Sequence, residues 1–294
     1  MKIIFIGAVE FSHSALKKIV SVGGNVVGVC TYKESHYHSD YYDLSSFAKK
    51  NNIPCQFVDN INSSRSLEWI SQLKPDVIFC FGWSRLLKRE ILSIAPIGVI
   101  GFHPSELPAN RGRSPIIWAI NLGLKKTASS FFFMDSNADS GDILSQKIIA
   151  ISDKDDSRSL YDKITKVALS QIEEFLPKLE DGSYKKIKQD ASKSNFWRKR
   201  TKQDGIIDWR MSANSIHNLI KSLNKPYVGA EFIYNKITYK VWSSELIIFK
   251  VRNTEPGKVI DVIDSAYPII KCGDNAIKLI KIEPKLTMTK GIYL

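Results

Sequence analysis

Apolar residues recur at two different spacings along this chain. Short unbroken runs at 2–6 and 26–30 enclose a segment in which Phe11, Ala15, Leu16, Ile19 and Val22 return every three or four positions. Runs of that length suit strands buried on both faces, and the wider spacing lays one apolar stripe along a helix, so the unit reads β-α-β. Further strand-like runs at Val77 to Phe81 and Val99 to Phe102 accompany helical patterns around Leu67 to Leu73 and Leu86 to Ile94. Strands separated by helices predict a mostly parallel sheet, and crossover handedness makes it a Rossmann-like, doubly wound α/β domain. Ligands of such sheets bind beyond the carboxyl ends of the strands.

The pattern changes twice more. A long helix is predicted from Ser159 to Leu179, with Leu160, Ile164, Val167, Ile172, Phe175 and Leu179 on one stripe. The polar stretch Glu180 to Lys193 then reads as a connection. After Asp208-Trp209 an amphipathic helix is marked by Ile216, Leu219, Ile220 and Leu223. Beyond Pro226, short alternating segments punctuated by Gly229, Asn235, Pro256-Gly257, Pro268 and Gly273-Asp274 predict a small OB-like β-barrel. The expected division is a catalytic domain at 1–190, a linker at 191–208 and the small β domain at 209–294. No apolar run approaches the roughly 20 residues that span a bilayer. The apolar start, Met1 to Ala8, is cut by Glu10 and is too short for a secretory signal, so cytoplasmic residence without a membrane partner is expected.

Composition narrows the chemistry. The 294 residues carry a formal net charge of +12, with the densest basic runs at Tyr184 to Lys188 and Trp197 to Lys202. Elsewhere the lysines are scattered, which suits a solvated basic surface or a local anion site for a phosphorylated small substrate. Cys30, Cys55, Cys80 and Cys272 form no Cys-x-x-Cys pair and read as reduced core thiols. His36-x-His38 is the one histidine spacing that suits a metal, and no metal is expected there or elsewhere. Ile6-Gly7-Ala8-Val9-Glu10 lacks Gly-x-Gly-x-x-Gly, which argues against a dinucleotide site. Neither a Walker-type loop nor a Gly-x-Ser-x-Gly elbow is present, and Ser105 and Ser114 lack that nucleophile context.

The run from Gly101 to Asp142 is the most informative. His103 should sit where the Val99 to Phe102 strand emerges into a loop, and Asp139 in a turn after the apolar run Ser129 to Met134. A histidine and a carboxylate fixed at strand ends suit general base or oxyanion chemistry.

Phe102-His103-Pro104, Leu107-Pro108, Arg111-Gly112-Arg113-Ser114-Pro115 and Ala138-Asp139-Ser140-Gly141-Asp142 together resemble the signature of the 10-formyltetrahydrofolate-dependent formyltransferases. That family includes methionyl-tRNA, glycinamide-ribonucleotide and amino-sugar formyltransferases. The opening Lys2 to Gly7 with Glu10-Phe11, and Phe196 to Thr201 followed by Asp208-Trp209, extend the resemblance over nearly the whole chain. The resemblance implies an amine attacking the formyl carbon of 10-formyltetrahydrofolate. His103 would stabilise the oxyanion or shuttle the proton, and Asp139, 36 positions later, would orient it. Asp142 would cap the turn.

Gly101 departs from the family, which has an asparagine two positions before the histidine. Losing such an amide donor costs on the order of 10²–10³ in rate. A backbone N–H, a water or another side chain such as Asn110 would replace it, His103 would suffice alone, or the protein would be a repurposed, non-catalytic folate- or sugar-binding member.

By the same resemblance, Trp83, Ser84, Arg85 and Leu86, with Ala138, Ser140 and Asp142 of the Asp139 loop, would contact the pterin largely through backbone groups. The tRNA enzymes carry a basic loop after the second strand. Here the stretch Thr31 to Asp43 has one lysine against three acids, and four tyrosines. Such a loop would neutralise phosphates poorly, which argues against a nucleic-acid partner. The expected acceptor is therefore a nucleotide-linked amino sugar for surface polysaccharide such as O-antigen, with methionyl-tRNA as the alternative. Arg111 and Arg113 would hold its diphosphate, with Lys33 and Tyr41 as further contacts. A homodimer is left open.

Overall fold

The computed structural model describes residues 1–34 and 39–294, so His36-x-His38 lies outside the described residues. The chain divides into two compact units. The first takes 1–115, 127–149 and 162–198; the second takes 116–126, 150–161 and 199–294.

In chain order the elements of the α/β part are β1 (Lys2–Ile6), α1 (Glu10–Ser21), β2 (Asn25–Thr31), α2 (Ser45–Lys50), β3 (Cys55–Phe57), α3 (Ser64–Gln72), β4 (Val77–Cys80), α4 (Arg89–Leu92) and β5 (Gly98–His103). Then follow β6 (Arg111–Gly112), α5 (Pro115–Asn121), β7 (Lys126–Phe133), β8 (Ile143–Ala150), α6 (Ser157–Glu180) and β9 (Phe196–Trp197), of which α5 after Pro115 and the first turn of α6 count with the second unit. Seven strands form one sheet in the order β3-β2-β1-β4-β5-β7-β8. The first five are parallel, with Ile6 beside both Cys30 and Cys80. Strand order reverses between β1 and β4, the place where a doubly wound sheet leaves a crevice beyond its strand ends.

The apolar pattern explains this arrangement. Ile3 to Ile6, Val77 to Phe79 and Ile100 are fully buried or nearly so, as strands covered on both faces must be. Phe5, Phe79, Phe81, Phe131 and Phe175 pack ring against ring, with Phe11 tilted against Phe102 at a centroid distance of 4.2 Å. The helix expected over Leu86 to Ile94 is only the single turn of α4. Leu87 and Ile91 of that stretch are buried, and Leu86 is 64% exposed, so the apolar spacing marks a loop pinned at two points.

Strand β7 runs antiparallel to β5, pairing Ile100 with Phe133 and His103 with Ser130. The loop after β7 therefore starts at the amino end of β5, where the Met134 N–H donates to Val99 O at 2.7 Å. Asp139 is thus not at a strand end on the side of His103; its loop travels back along β5.

In the second unit, α7 (Ala213–Ser222) precedes β10 (Ala230–Tyr234), β11 (Ile237–Ile247), β12 (Val259–Ile263), β13 (Tyr267–Lys271) and β14 (Ala276–Glu283). These form a five-stranded antiparallel, barrel-like sheet in the order β10-β11-β14-β13-β12. Its core gathers Ile216, Leu219 and Ile220 of α7 with Phe232, Val241, Ile270, Ile277 and Leu279. Ser212 caps α7 by accepting from the Ser215 N–H, which fixes where the helix begins.

Candidate active site

His103 ends β5, buried to 5% exposure. Its Nε2 lies 2.8 Å from the backbone O of Asn110, and because a carbonyl only accepts, Nε2 must carry the proton. Nδ1 is then the lone-pair nitrogen of the neutral ring. It faces Asp139 Oδ2 at 3.6 Å, too far for a hydrogen bond but close enough to stabilise an imidazolium.

Asp139 holds a left-handed backbone conformation, φ 55°. Its Oδ2 accepts the Gly112 N–H at 2.9 Å. Asn110 is also left-handed, φ 63°, and its N–H donates to Asn195 Oδ1 at 2.7 Å. The histidine and the carboxylate, read separately from two sequence turns, are brought together.

Gly101 lies on β5 two residues earlier, opposite Phe132. A Cβ there would stand 2.9 Å from Phe132 Cζ and 2.9 Å from Met134 Cγ. The volume an asparagine would need at this position is filled by those two side chains.

The segment read as a connection returns to this site. Ile187 exchanges both backbone hydrogen bonds with Ile143. Gln189 Oε1 accepts from Arg111 Nε and Nη2 at 3.2 and 2.7 Å, and its Nε2 donates to Asp139 O and Gly141 O at 2.9 and 2.7 Å. Strand β9 pairs in parallel with β6, Arg111 to Phe196 and Gly112 to Trp197. That approach needs Gly112: with φ 105°, a Cβ there would sit 2.3 Å from Trp197 O.

A protein-family model described as formyl transferase matches residues 1–176, and one for the formyl transferase C-terminal domain matches 199–290. The chain belongs to the formyltransferase family. It catalyses formyl transfer. A methionyl-tRNA formyltransferase of Caldanaerobacter subterraneus subsp. tengcongensis is 31% identical over 297 residues, spanning 99% of this chain and 95% of that one. The bifunctional polymyxin resistance protein ArnA of Wigglesworthia glossinidia brevipalpis is 34% identical over 265 residues, 89% of this chain and 40% of its own length. Among solved structures, an N-formyltransferase from Helicobacter canadensis, complexed with folinic acid and dTDP-3-aminofucose, superposes with a TM-score of 0.72. It is 19% identical and covers 95% of this chain and 98% of its own, a likeness of fold.

In this formyltransferase, Trp83 stacks on Tyr32 with ring centroids 4.1 Å apart, and its indole N–H is buried without a hydrogen-bond partner among the described residues. Ser84 O accepts Arg113 Nη1 at 2.6 Å, and Arg85 donates to Asp59 O at 2.6 Å. In the Asp139 loop, Ala138 is half-buried, Ser140 Oγ donates to Asp135 Oδ1, and Asp142 O accepts the Phe133 N–H. The Asp142 tie to β7 is made by its backbone rather than its carboxylate.

The two arginines differ. Arg111 is buried, committed to Gln189 and lying over the Phe196 ring at 5.8 Å, whereas Arg113 stays half-buried. Tyr41 donates its hydroxyl to Lys33 O at 2.8 Å, and Lys33 itself is exposed. Burial, then the nearby Asp43 and Glu34, pushes the Tyr41 phenol up.

Burial pushes the Cys80 thiol up to about 12 and Cys55 up to about 11, so both stay protonated. Among the described residues no group of three or more His, Cys, Asp or Glu could hold a metal ion, and no helix is long and apolar enough to cross a membrane. Sequence reasoning missed Gln189 and Asn195. A buried guanidinium such as Arg111 needs an acceptor, but its polar sequence neighbours Asn110, Gly112 and Arg113 give no sign of that burial.

Proposed function

We propose that this formyltransferase moves the formyl group of 10-formyltetrahydrofolate to the amine of a nucleotide-linked amino sugar, in the cytoplasm, for surface polysaccharide synthesis. The observation that carries the acceptor class is the connection after β2. Asp40 O accepts the Glu10 N–H, Tyr42 N–H donates to Ala8 O, and Tyr41 bridges Val9. Its described residues therefore fold back onto the start of α1 instead of standing free. They carry Lys33 against Glu34, Asp40 and Asp43, a balance that releases few counterions from a nucleic-acid backbone.

The residues present fit a folate. The loop after β4 offers an exposed Leu86, and the buried indole N–H of Trp83 is a donor with no hydrogen-bond partner among the described residues. When bound, the folate supplies an activated formyl carbonyl. Asp139 Oδ1, without a protein partner among the described residues, accepts an N–H of the attacking amine. His103 takes up at Nδ1 the proton the amine loses, and Asp139 Oδ2 supports the imidazolium that results. That proton would pass to the folate nitrogen as its bond to the formyl carbon breaks and tetrahydrofolate leaves. Arg113, the less buried of the two and donating to Ser84 O, is the guanidinium we assign to the sugar diphosphate, with Lys33 as a further contact.

Methionyl-tRNA is the second reading, favoured by the full-length relative of that name and by the net charge of +12. Incubating the protein with 10-formyltetrahydrofolate and either Met-tRNA or a panel of dTDP- and UDP-linked amino sugars separates the two. Formylation of a sugar nucleotide at least about ten times more efficiently than Met-tRNA, roughly 1.4 kcal/mol of discrimination, is expected. Comparable or better use of Met-tRNA would overturn the sugar reading.

A further inference from the structure

The His103–Asp139 pair is not held by its own loops alone. On the carboxylate side, one carboxamide makes four hydrogen bonds: Gln189 accepts twice from Arg111 and donates to Asp139 O and Gly141 O. The two donations fix the backbone on both sides of Ser140, so they set where the left-handed Asp139 turn stands. On the histidine side, Asn195 Oδ1 takes the Asn110 N–H, Asn195 Nδ2 donates to Asn110 Oδ1 at 3.1 Å, and Asn195 O accepts the Arg111 N–H at 3.0 Å. Asn110 O is the acceptor that keeps the His103 proton on Nε2.

Residues 184–197 are anchored along their length. Tyr184 lies 5.7 Å from the Phe133 ring, Lys186 sits over that ring at 4.2 Å, Ile187 pairs with Ile143, and β9 pairs with β6. A segment whose side chains are largely exposed thus delivers two amides to the backbone of both catalytic loops. Amides are well suited to bracing backbone, because each offers a donor and an acceptor at fixed separation, without a charge to desolvate.

We propose that Gln189 and Asn195 are positioning residues of formyl transfer, Gln189 setting Asp139 and Asn195 setting the His103 tautomer. Each acts through the catalytic pair and touches no reactant. A displacement of about 1 Å at reacting groups costs on the order of 10²-fold in rate, so the loss falls on kcat.

Four variants test this. Gln189→Glu keeps an acceptor for Arg111 and removes the donors to Asp139 O and Gly141 O, so the fold is retained beside the more disruptive Gln189→Ala. Asn195→Asp keeps the acceptor for the Asn110 N–H, and Asn195→Ala removes it. Three quantities are read: kcat with the acceptor found among Met-tRNA and the amino-sugar nucleotides, affinity for folinic acid by calorimetry, and the imidazole ¹⁵N spectrum of His103. Gln189→Glu and Gln189→Ala are expected to lower kcat by about ten-fold or more while folinic acid affinity changes by less than about three-fold. Asn195→Ala should mix the His103 tautomers, and Asn195→Asp should restore the Nε2-protonated spectrum. Wild-type kcat in Gln189→Glu, or an unmixed spectrum in Asn195→Ala, would overturn the assignment. The kinetic part rests on formyl transfer to the proposed acceptor, whereas the ¹⁵N spectrum needs no substrate. Failure of the acceptor reading therefore leaves the spectrum to decide.

Discussion

Placing an asparagine at position 101 looks like the direct way to ask what the missing amide is worth, and the packing predicts that it fails for steric reasons. A Cβ on Gly101 would stand 2.9 Å from Phe132 Cζ and Met134 Cγ and 3.0 Å from Phe132 Cε1. Carbons prefer about 3.5–4.0 Å, so each neighbour must withdraw by roughly 0.6–1 Å. Phe132 is 2% exposed and packs with Leu107 and Ile143, which leaves little room to withdraw. Overpacking of this kind costs about 1–3 kcal/mol, offset by about 0.5–1 kcal/mol from the lower chain entropy of alanine. Gly101→Ala should therefore lose up to about 2.5 kcal/mol and melt up to roughly 10 °C lower by calorimetry. Phe132→Leu removes the offending ring carbons. The double variant should be more stable than the sum of the singles by at least about 0.5 kcal/mol, the lower end of coupling between touching side chains. Additivity within about 0.3 kcal/mol would refute the steric argument. Only in the Phe132→Leu background does Gly101→Asn report on chemistry. A gain in kcat of ten-fold or more (about 1.4 kcal/mol) over Phe132→Leu alone would mean that no substitute donor operates in the natural enzyme.

Other expectations follow from the same geometry. His103→Asn should lower kcat by about 10²–10⁴ with little change in folinic acid affinity, and Asp139→Asn should do likewise; retained turnover in either would remove that residue from the mechanism. Asn110 presents a side-chain N–H₂ without a protein partner among the described residues, next to His103. Asn110→Ala should cost on the order of 10²-fold in kcat if this amide replaces the one absent at 101, and unchanged turnover would assign that role to backbone or water. In the second unit, burial and then Lys221 hold the His217 imidazole down at about 4, with Nδ1 2.9 Å from Ser244 Oγ. Below the unfolded value of 6.5 the unfolded chain binds the proton first, so stability is full above about 6.5 and is lost as pH falls from there toward 4. Denaturant titrations between pH 7 and 4 should show that loss, and His217→Gln should flatten it; an equal slope in both proteins would count against the assignment.

What the sequence disclosed and what it hid follow one physical divide. Ile3 to Ile6 and Val77 to Phe79 are unbroken apolar runs because both faces of those strands are buried, and the stripe on α6 recurs because one helix face is. Run length and spacing therefore predict the elements and the strand end that carries His103. Asp139 was legible by resemblance, but its route was not. Nothing in the run Ser129 to Met134 says that β7 is antiparallel to β5, since a strand buried on both faces looks the same in either direction. Residues 184–197 hid more completely. Their partners are backbone carbonyls and N–H groups of loops about 50 to 85 residues away, and backbone groups leave no sequence signature. A segment held by such contacts carries polar, exposed residues and reads as a linker. Gly101 marks the limit from the other side: the substitution is visible in one letter, but the reason it cannot simply be reversed lies in Phe132 and Met134, across the sheet and 31 and 33 positions away. An amide missing from a motif is therefore a statement about a packed neighbourhood, and a test of its chemical role has to change that neighbourhood first.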